Sequence, residues 1–249
     1  LFPQRLIDFF PIKQAQHHFL PIPPDYYSRY LDTLIALSGG MYVYDHALFL
    51  GHRDAIAPHV DVMFHGHGLD YLFQGMYLPT TRWKMFSHTT FLKRLRPLDD
   101  DVASDYLTHI HYRLKHIELL RYVRPSYRRR LQESLYDAVE EIVEEGRRLG
   151  RTAYDVWEYL LIHAISRHFS NGNVTSLMSN GEQRTPSFDN DLFALYLSLP
   201  EEVRFGAQVI RGALRRLNLQ LAQLEAANTG IKIDSSPIEQ EFSHALRSL

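Results

Sequence analysis

The junction between residues 60 and 70 constrains this chain more than any other stretch. Val60-Asp61-Val62-Met63-Phe64 is β-branched and apolar and reads as a buried strand. It stops at His65-Gly66-His67-Gly68, and a helix is expected to follow from Asp70. A parallel strand that ends in a glycine loop belongs to an open α/β sheet, where ligands sit beyond the carboxyl ends of the strands. Glycines there let the backbone approach a ligand closely, and the N–H groups of a following helix favour phosphate. Asp70 supplies a carboxylate suited to magnesium. The same pattern also serves as a plain turn.

The rest of the chain divides around residue 80, with no internal repeat. Residues 1 to about 80 are rich in Pro, His, Gly and aromatics, with short apolar runs broken at Pro21-Ile22-Pro23-Pro24-Asp25 and Ser38-Gly39-Gly40. That composition reads as the tail of a parallel α/β nucleotide-binding domain, and residues 81–249 read as a helical extension. After Arg82 the period becomes helical: Asp99-Asp100-Asp101 places negative charge at a helix start, and Val102, Tyr106, His109 and Tyr112 recur at steps of three and four. A second helix begins after Pro125. It carries the stripe Leu135, Val139, Ile142, Val143, sets Glu144 four residues before Arg148, and closes at Gly150. Further helices are expected over Tyr154 to Phe169, Asp191 to Leu199 and Glu202 to Leu224, with Pro200 suited to a first turn.

Composition removes several function classes. With 249 residues, 45% hydrophobic, the chain is long enough for a globular core. A net charge of −2 gives no basic field for nucleic acid. The absence of cysteine rules out disulfides and thiolate zinc and fits a reducing compartment, so the expected location is cytoplasmic. No apolar run approaches the roughly 20 residues of a membrane helix. The start, Leu1-Phe2-Pro3-Gln4-Arg5, has neither an initiator Met nor a signal-peptide pattern, so the chain is read as part of a longer product.

Two further features carry possible chemistry. Fourteen histidines include His17-His18, His65 with His67, and His109, His111 and His116. His109 and His111 point to different sides of a helix and no His-Glu-x-x-His occurs, which favours capping and packing over a metal site. His67 stands apart, since a protonated imidazole beside the glycine loop would compensate anionic oxygens near neutral pH. In Glu182-Gln183-Arg184-Thr185-Pro186-Ser187-Phe188-Asp189-Asn190-Asp191, Asp189 or Asn190 is placed to cap the apolar helix that follows, and Arg184 to pair bidentately with a carboxylate. Arg128-Arg129-Arg130 reads as a solvated helix face.

In combination and order these segments resemble the asparagine synthetase family. His65-Gly66-His67-Gly68-Leu69-Asp70-Tyr71-Leu72-Phe73-Gln74-Gly75-Met76 is similar to the family's S-G-x-G-G-D-E-L-F-G-G-Y. Glu182 to Leu192 is similar to its E-x-R-x-P-F-L-D-x-x-L, with Leu197-Ser198-Leu199-Pro200 following. The resemblance spans roughly residues 17 to 205. It implies the C-terminal part of an adenine-nucleotide-hydrolase-like (ATP-pyrophosphatase) domain with a helical extension. The implied activity is ATP-dependent activation of a carboxylic substrate, aspartate or an analogue, as an acyl-adenylate, followed by attack of glutamine-derived ammonia. It further implies ATP and magnesium, with upstream glutaminase and ATP-loop segments. Gly66, His67, Gly68 and Asp70 then fall in the cofactor-binding loop, and Asp70 in the metal role. Lys232, in Asn228-Thr229-Gly230-Ile231-Lys232, is the candidate for the family's late catalytic lysine, with an ordinary surface lysine as the alternative.

The departures from the pattern are specific. Ser38-Gly39-Gly40-Met41-Tyr42 lacks the aspartate and serine of S-G-G-x-D-S, so the ATP loop is expected upstream of Leu1 and the isolated chain is expected not to bind ATP tightly. Tyr71 replaces the second acid of the glycine motif, Leu69 a small residue and Gln74 a glycine. These changes leave two alternatives beside the synthetase: a degenerate family member acting as an interaction module, and a specialised amide or lactam synthetase with another substrate.

Overall fold

β1 (Val62–Phe64) runs parallel to β4 (Glu182–Arg184), pairing Val62 with Glu182, Met63 with Gln183 and Phe64 with Arg184. This pair comes from a computed structural model, which describes residues 18–40, 44–85, 90–109, 119–164, 171–226, 230–236, 238–240 and 242–243. The parallel direction agrees with the sequence; the burial does not. Val62 is 38% and Phe64 74% exposed, because β4 is the strand's partner among the described residues and neither side chain is roofed. His17, Tyr112, His111 and His116 lie outside the described residues.

Upstream of β1, α1 (Tyr26–Ser38) packs against a 3-10 segment, Tyr44–His52, through Leu34, Ala47 and Leu50, and short α2 (Arg53–Ile56) follows. Tyr26 ties the two together, donating to Leu48 O and accepting from Gly51 N–H at 2.9 Å. The helical period expected from Arg82 does not begin there: β2 (Thr80–Met85) and β3 (Thr90–Leu95) form an antiparallel hairpin that pairs Arg82 with Lys93, and helices start at Val102. The helices that follow are α3 (Val102–His109), α4 (Pro125–Leu149), α5 (Ala153–Leu161), α6 (Asn171–Leu177), which is not expected from the sequence, and α7 (Asn190–Ser198).

Local chemistry explains most of these boundaries. Asp101 accepts from Ser104 N–H at 2.9 Å and starts α3. Pro125 opens α4, where a missing N–H costs nothing, and Gly150 ends it. Thr152 and Asp155 form a capping box on α5. Asp189 caps α7 by accepting from Asp191 N–H and Leu192 N–H. The α4 stripe is real but incomplete: Val143 is fully buried, Val139 and Ile142 pack against the core, and Leu135 is exposed. Arg147, not Arg148, takes the Glu144 carboxylate; these exposed pairs contribute little stability.

The helix expected over Glu202 to Leu224 is broken twice. α8 (Glu201–Arg204) and a 3-10 turn, Phe205–Ala207, lead into α9 (Gln208–Leu217), and α10 (Leu219–Ala222) is a separate turn. Gly206 and Ala207 have φ of 69° and 59°, which no α-helix accommodates. Asn218 then leaves the helix to cap α10. Pro200 correspondingly sits just outside α8, as its N-cap.

The main core joins the glycine segment to the helices. Tyr71, Leu72 and Phe73 pack with Val143, Trp157 and Tyr196, and Trp157 Nε1 donates to Tyr77 O at 2.9 Å. Each such apolar side chain contributes about 1.5–3 kcal/mol of burial. A charged cluster centres on Asp105 in this region. Arg96 and His109 approach buried Asp105 at 2.9 and 2.6 Å. Burial alone would raise the Asp105 carboxyl, but the donors from Arg96 and the Asp99 N–H outweigh it and hold it below the usual carboxylate value. Among the described residues no helix is long and apolar enough to cross a membrane.

Candidate functional site

The two ordered segments, about residues 65–76 and 182–192, meet face to face. Beyond the β1–β4 pair, His65 N–H donates to Arg184 O at 3.2 Å, and Thr185 Oγ1 lies 3.0 Å from His65 Nε2. Ser187, fully buried, donates its hydroxyl to His67 O. The Phe188 ring lies 5.9 Å from that of His67, tilted by 49°. Gly68 is the residue that permits this approach: it has φ +88°, and a Cβ there would stand 2.8 Å from Ser187 Oγ and 3.1 Å from the Phe188 ring.

The loop closes in turns rather than in the regular helix expected from Asp70. Leu72 N–H and Phe73 N–H bond Gly68 O and Leu69 O, but Gln74 N–H also reaches Leu69 O and Met76 N–H returns to Asp70 O. The buried apolar residues Leu72 and Phe73 pull the segment into the core and bend it before a second helical turn forms. The N–H groups of Gly66 and Gly68 have no hydrogen-bond partner among the described residues. Asp70 is exposed on the same loop, with its carboxylate outside any hydrogen bond or ion pair to the described residues. It therefore does not cap a helix here.

Tyr71 accounts for its own departure from the acidic pattern. Its ring stacks on Tyr77 at 4.8 Å and is buried, while its hydroxyl lies 3.2 Å from His67 Nε2. Asn171 Oδ1 stands 3.4 Å from the same nitrogen. Burial lowers the His67 pKa, with the Asn171 contact opposing and neighbouring His65 assisting the shift. The expectation of a protonated His67 near neutral pH is corrected accordingly: desolvation disfavours the cation, and the ring acts as a neutral hydrogen-bonding group. Arg184 pairs with Glu182 through one nitrogen, both exposed, rather than as a fork.

Ser38-Gly39-Gly40 is a helix terminus. Gly39 takes the left-handed conformation at the end of α1, and its N–H and that of Gly40 both bond Ile35 O. The neighbouring helix carbonyls make this a poor place for phosphate.

Lys232 lines a cavity that Asp70 does not line. A backbone ladder around residues 222–234, with Ala226 N–H on Ile231 O at 2.8 Å and Ile233 N–H on Leu224 O at 2.9 Å, presents it to a cavity of about 620 Å³. Gly75 and Met76, at the end of the glycine segment, line that cavity, as do Phe205, Gly206, Lys93 and Arg211. Gly66, His67, Gly68 and Asp70 do not. Gly75 has φ +66° and a Cβ on it would meet Arg204 O at 2.7 Å, so the cavity floor depends on close backbone contact there.

Arg204 is held from below by a buried charge network. It pairs with Glu158 and, at 2.6 Å, with Asp155; Tyr196 donates to the other oxygen of Glu158. Burial pushes the Glu158 carboxyl up to about 7 against the pull of Arg204 and Tyr196. This network fixes α5, α7 and α8 to one another and so sets the turn that lines the cavity.

Sequence reasoning did not single out Lys93, Arg211, Glu158 or Arg204. Glu158 and Asp155 are three apart on a helix, a detectable shared face. The signal for Arg211 was Gly206, which interrupts an otherwise continuous helical period. Among the described residues no group of three or more His, Cys, Asp or Glu is placed to hold a metal ion.

A family model described as asparagine synthase matches residues 4–249. No curated protein and no solved structure matches the chain.

Proposed function

The chain belongs to the asparagine synthase family, an ATP-dependent amide-forming ligase family, and from that premise we propose that it is the C-terminal part of such a ligase. In this reading residues 1–80 are the tail of an ATP-pyrophosphatase-type nucleotide-binding domain and residues 81–249 its helical part. Upstream glutaminase and ATP-loop segments complete the enzyme. A carboxylate oxygen of aspartate or an analogue attacks the α-phosphorus of ATP, and pyrophosphate leaves. The lone pair of ammonia, released from glutamine, then attacks the acyl carbon; AMP leaves with the bonding pair, and the ammonium-derived proton passes to solvent or base.

The observation that carries this reading is the direct contact between the two family-like segments, from Ser187 to His67 and from Thr185 to His65. Ser187 and Thr185 each reach a partner 120 residues away, beside main-chain donors that have no partner among the described residues. The donors fit phosphate: Gly66 N–H and Gly68 N–H are unengaged among the described residues, and neutral His67 adds a ring nitrogen. Asp70 fits magnesium as a single exposed carboxylate, since that ion is commonly held by one or two carboxylates together with substrate phosphates and water. Magnesium would supply neutralisation of phosphate charge there. Lys232, on the rim of the cavity of about 620 Å³, is assigned to the negative charge that develops on the departing pyrophosphate.

The test is product identity. The complete protein, given ATP, magnesium, glutamine and a carboxylic acid, should release AMP and pyrophosphate in proportion to amide. Release of ADP and phosphate, or ATP consumption without an amide, would contradict the reading.

A further inference from the structure

The apolar side chains Met76, Phe205, Ile210, Ile231 and Ile233 line the cavity of about 620 Å³. Met76 ends the glycine segment and is 47% exposed, so it keeps apolar surface that a ligand body would remove from water. The volume falls inside the roughly 300–1,000 Å³ of sites that enclose organic molecules of some size, where apolar walls carry a few placed polar groups. Aspartate, the smallest substrate consistent with the amide-ligase reading, has no apolar body to set against such a wall.

The charged groups restrict the ligand further. Lys93 of β3, Arg211 of α9 and Lys232 line the same space, and no carboxylate is among the described residues that line it. Asp234 acts on Arg211 electrostatically, but it is held by Arg215 at 3.4 Å and does not line the cavity. An α-ammonium group would therefore enter among like charges, with no acid to receive it. A carboxylate without an amino group meets the reverse. A guanidinium carries five N–H donors, and that of Arg211 gives one hydrogen bond among the described residues, to Ser235 O at 3.2 Å. Its other donors suit the two oxygens of a carboxylate. Burial and then Arg215 lower the Arg211 pKa against the pull of Asp234, so an incoming carboxylate relieves an unfavourable charge.

We infer that this cavity selects, as the acid to be activated, a carboxylic acid with an apolar alkyl or aryl body and no α-amino group, its body laid on Met76, Phe205, Ile210 and Ile231 and its carboxylate drawn to Arg211. The inference deepens the amide-ligase reading by naming the substrate class, and it rests on that reading for the reaction the acid undergoes. Aspartate is then a poor substrate, because it leaves the apolar wall wet and brings a cation among cations. The selection itself is independent of turnover.

Calorimetric titration of the complete protein with octanoate, 4-phenylbutanoate and aspartate, without ATP, reads the selection, and ATP–pyrophosphate exchange with the same acids reads its use. At least one apolar acid should bind about tenfold or more tighter than aspartate and support exchange with a kcat/KM higher by a similar factor. Met76→Gln keeps the length of the side chain and replaces its apolar end; it should raise KM for the apolar acid severalfold while kcat and the thermal midpoint stay unchanged. Met76→Leu should behave like wild type. Arg211→Gln should weaken the apolar acid about tenfold or more. If Arg211→Gln proves misfolded by circular dichroism, half-exposed Met76 carries the test. Aspartate bound as tightly as the apolar acids, no binding of either apolar acid, or Met76→Gln without effect on them overturns the inference. Exchange with aspartate and with neither apolar acid would remove this inference alone; selective binding of an apolar acid by a protein that shows no exchange with any of the three would remove the ligase reading alone.

Discussion

Ser187 donates its hydroxyl hydrogen bond to the main-chain carbonyl of His67, across 120 residues of sequence. The pairing makes the glycine loop and the segment after β4 one structural unit, with Gly68 as the point of closest approach. Ser187→Ala leaves a part-buried carbonyl without its donor and should cost about 1–3 kcal/mol. Gly68→Ala should also destabilise, by about 1–3 kcal/mol, through its positive φ and its clash with Ser187 and Phe188. Because both act on one contact, urea denaturation of the double variant should show a loss smaller than the sum by about 0.5–3 kcal/mol. Strict additivity would mean that the two segments are not coupled.

The buried network under the cavity makes a second prediction, in two parts. Arg204→Met strands Glu158 and Asp155 and should cost about 3–5 kcal/mol, whereas Glu158→Gln keeps the shape and should cost less. The pH dependence has a definite sign. A carboxyl raised from 4.5 to about 7 on folding contributes stability that is whole below pH 4.5 and lost as pH rises through about 7. Wild type should therefore lose stability relative to Glu158→Gln across that window, as read by denaturation midpoints at its two ends. A difference independent of pH would show that Glu158 is ionised throughout.

Where boundaries depend on neighbouring residues, the sequence is a good guide. Pro125 and Gly150 bracket α4 as expected, Asp189 caps α7, and the strand ending at Phe64 is parallel. Features that depend on distant partners are less legible. The exposure of Phe64 reflects a β1 that has one partner strand among the described residues, which no local pattern encodes. Tyr71 looked like the loss of an acid and proves to be a core residue stacked on Tyr77. The continuous apolar period after Glu202 concealed the break at Gly206 and Ala207, and with it the arrival of Arg211 beside Lys93 and Lys232. The lowered His67 pKa arises from burial against Phe188 and Tyr71, which is a tertiary fact.

Asp70 is exposed and carries no cap bond, so Asp70→Asn should leave the thermal midpoint nearly unchanged. As the proposed magnesium ligand, its loss of charge should lower ATP–pyrophosphate exchange by about two orders of magnitude, the scale of a key electrostatic contact. Exchange at the wild-type level with unchanged stability would remove Asp70 from the site.

The central claim is that this chain contributes Lys232 to an adenylating ligase site, and ATP–pyrophosphate exchange in the complete protein measures it most directly. Wild type should exchange label only when the carboxylic substrate is present. Lys232→Gln should retain its circular dichroism spectrum and thermal midpoint, because the side chain is exposed on the cavity rim, yet fall about a hundredfold or more in exchange. Exchange by Lys232→Gln at the wild-type rate, or no exchange by wild type with any carboxylic acid that it converts to an amide, would contradict the account.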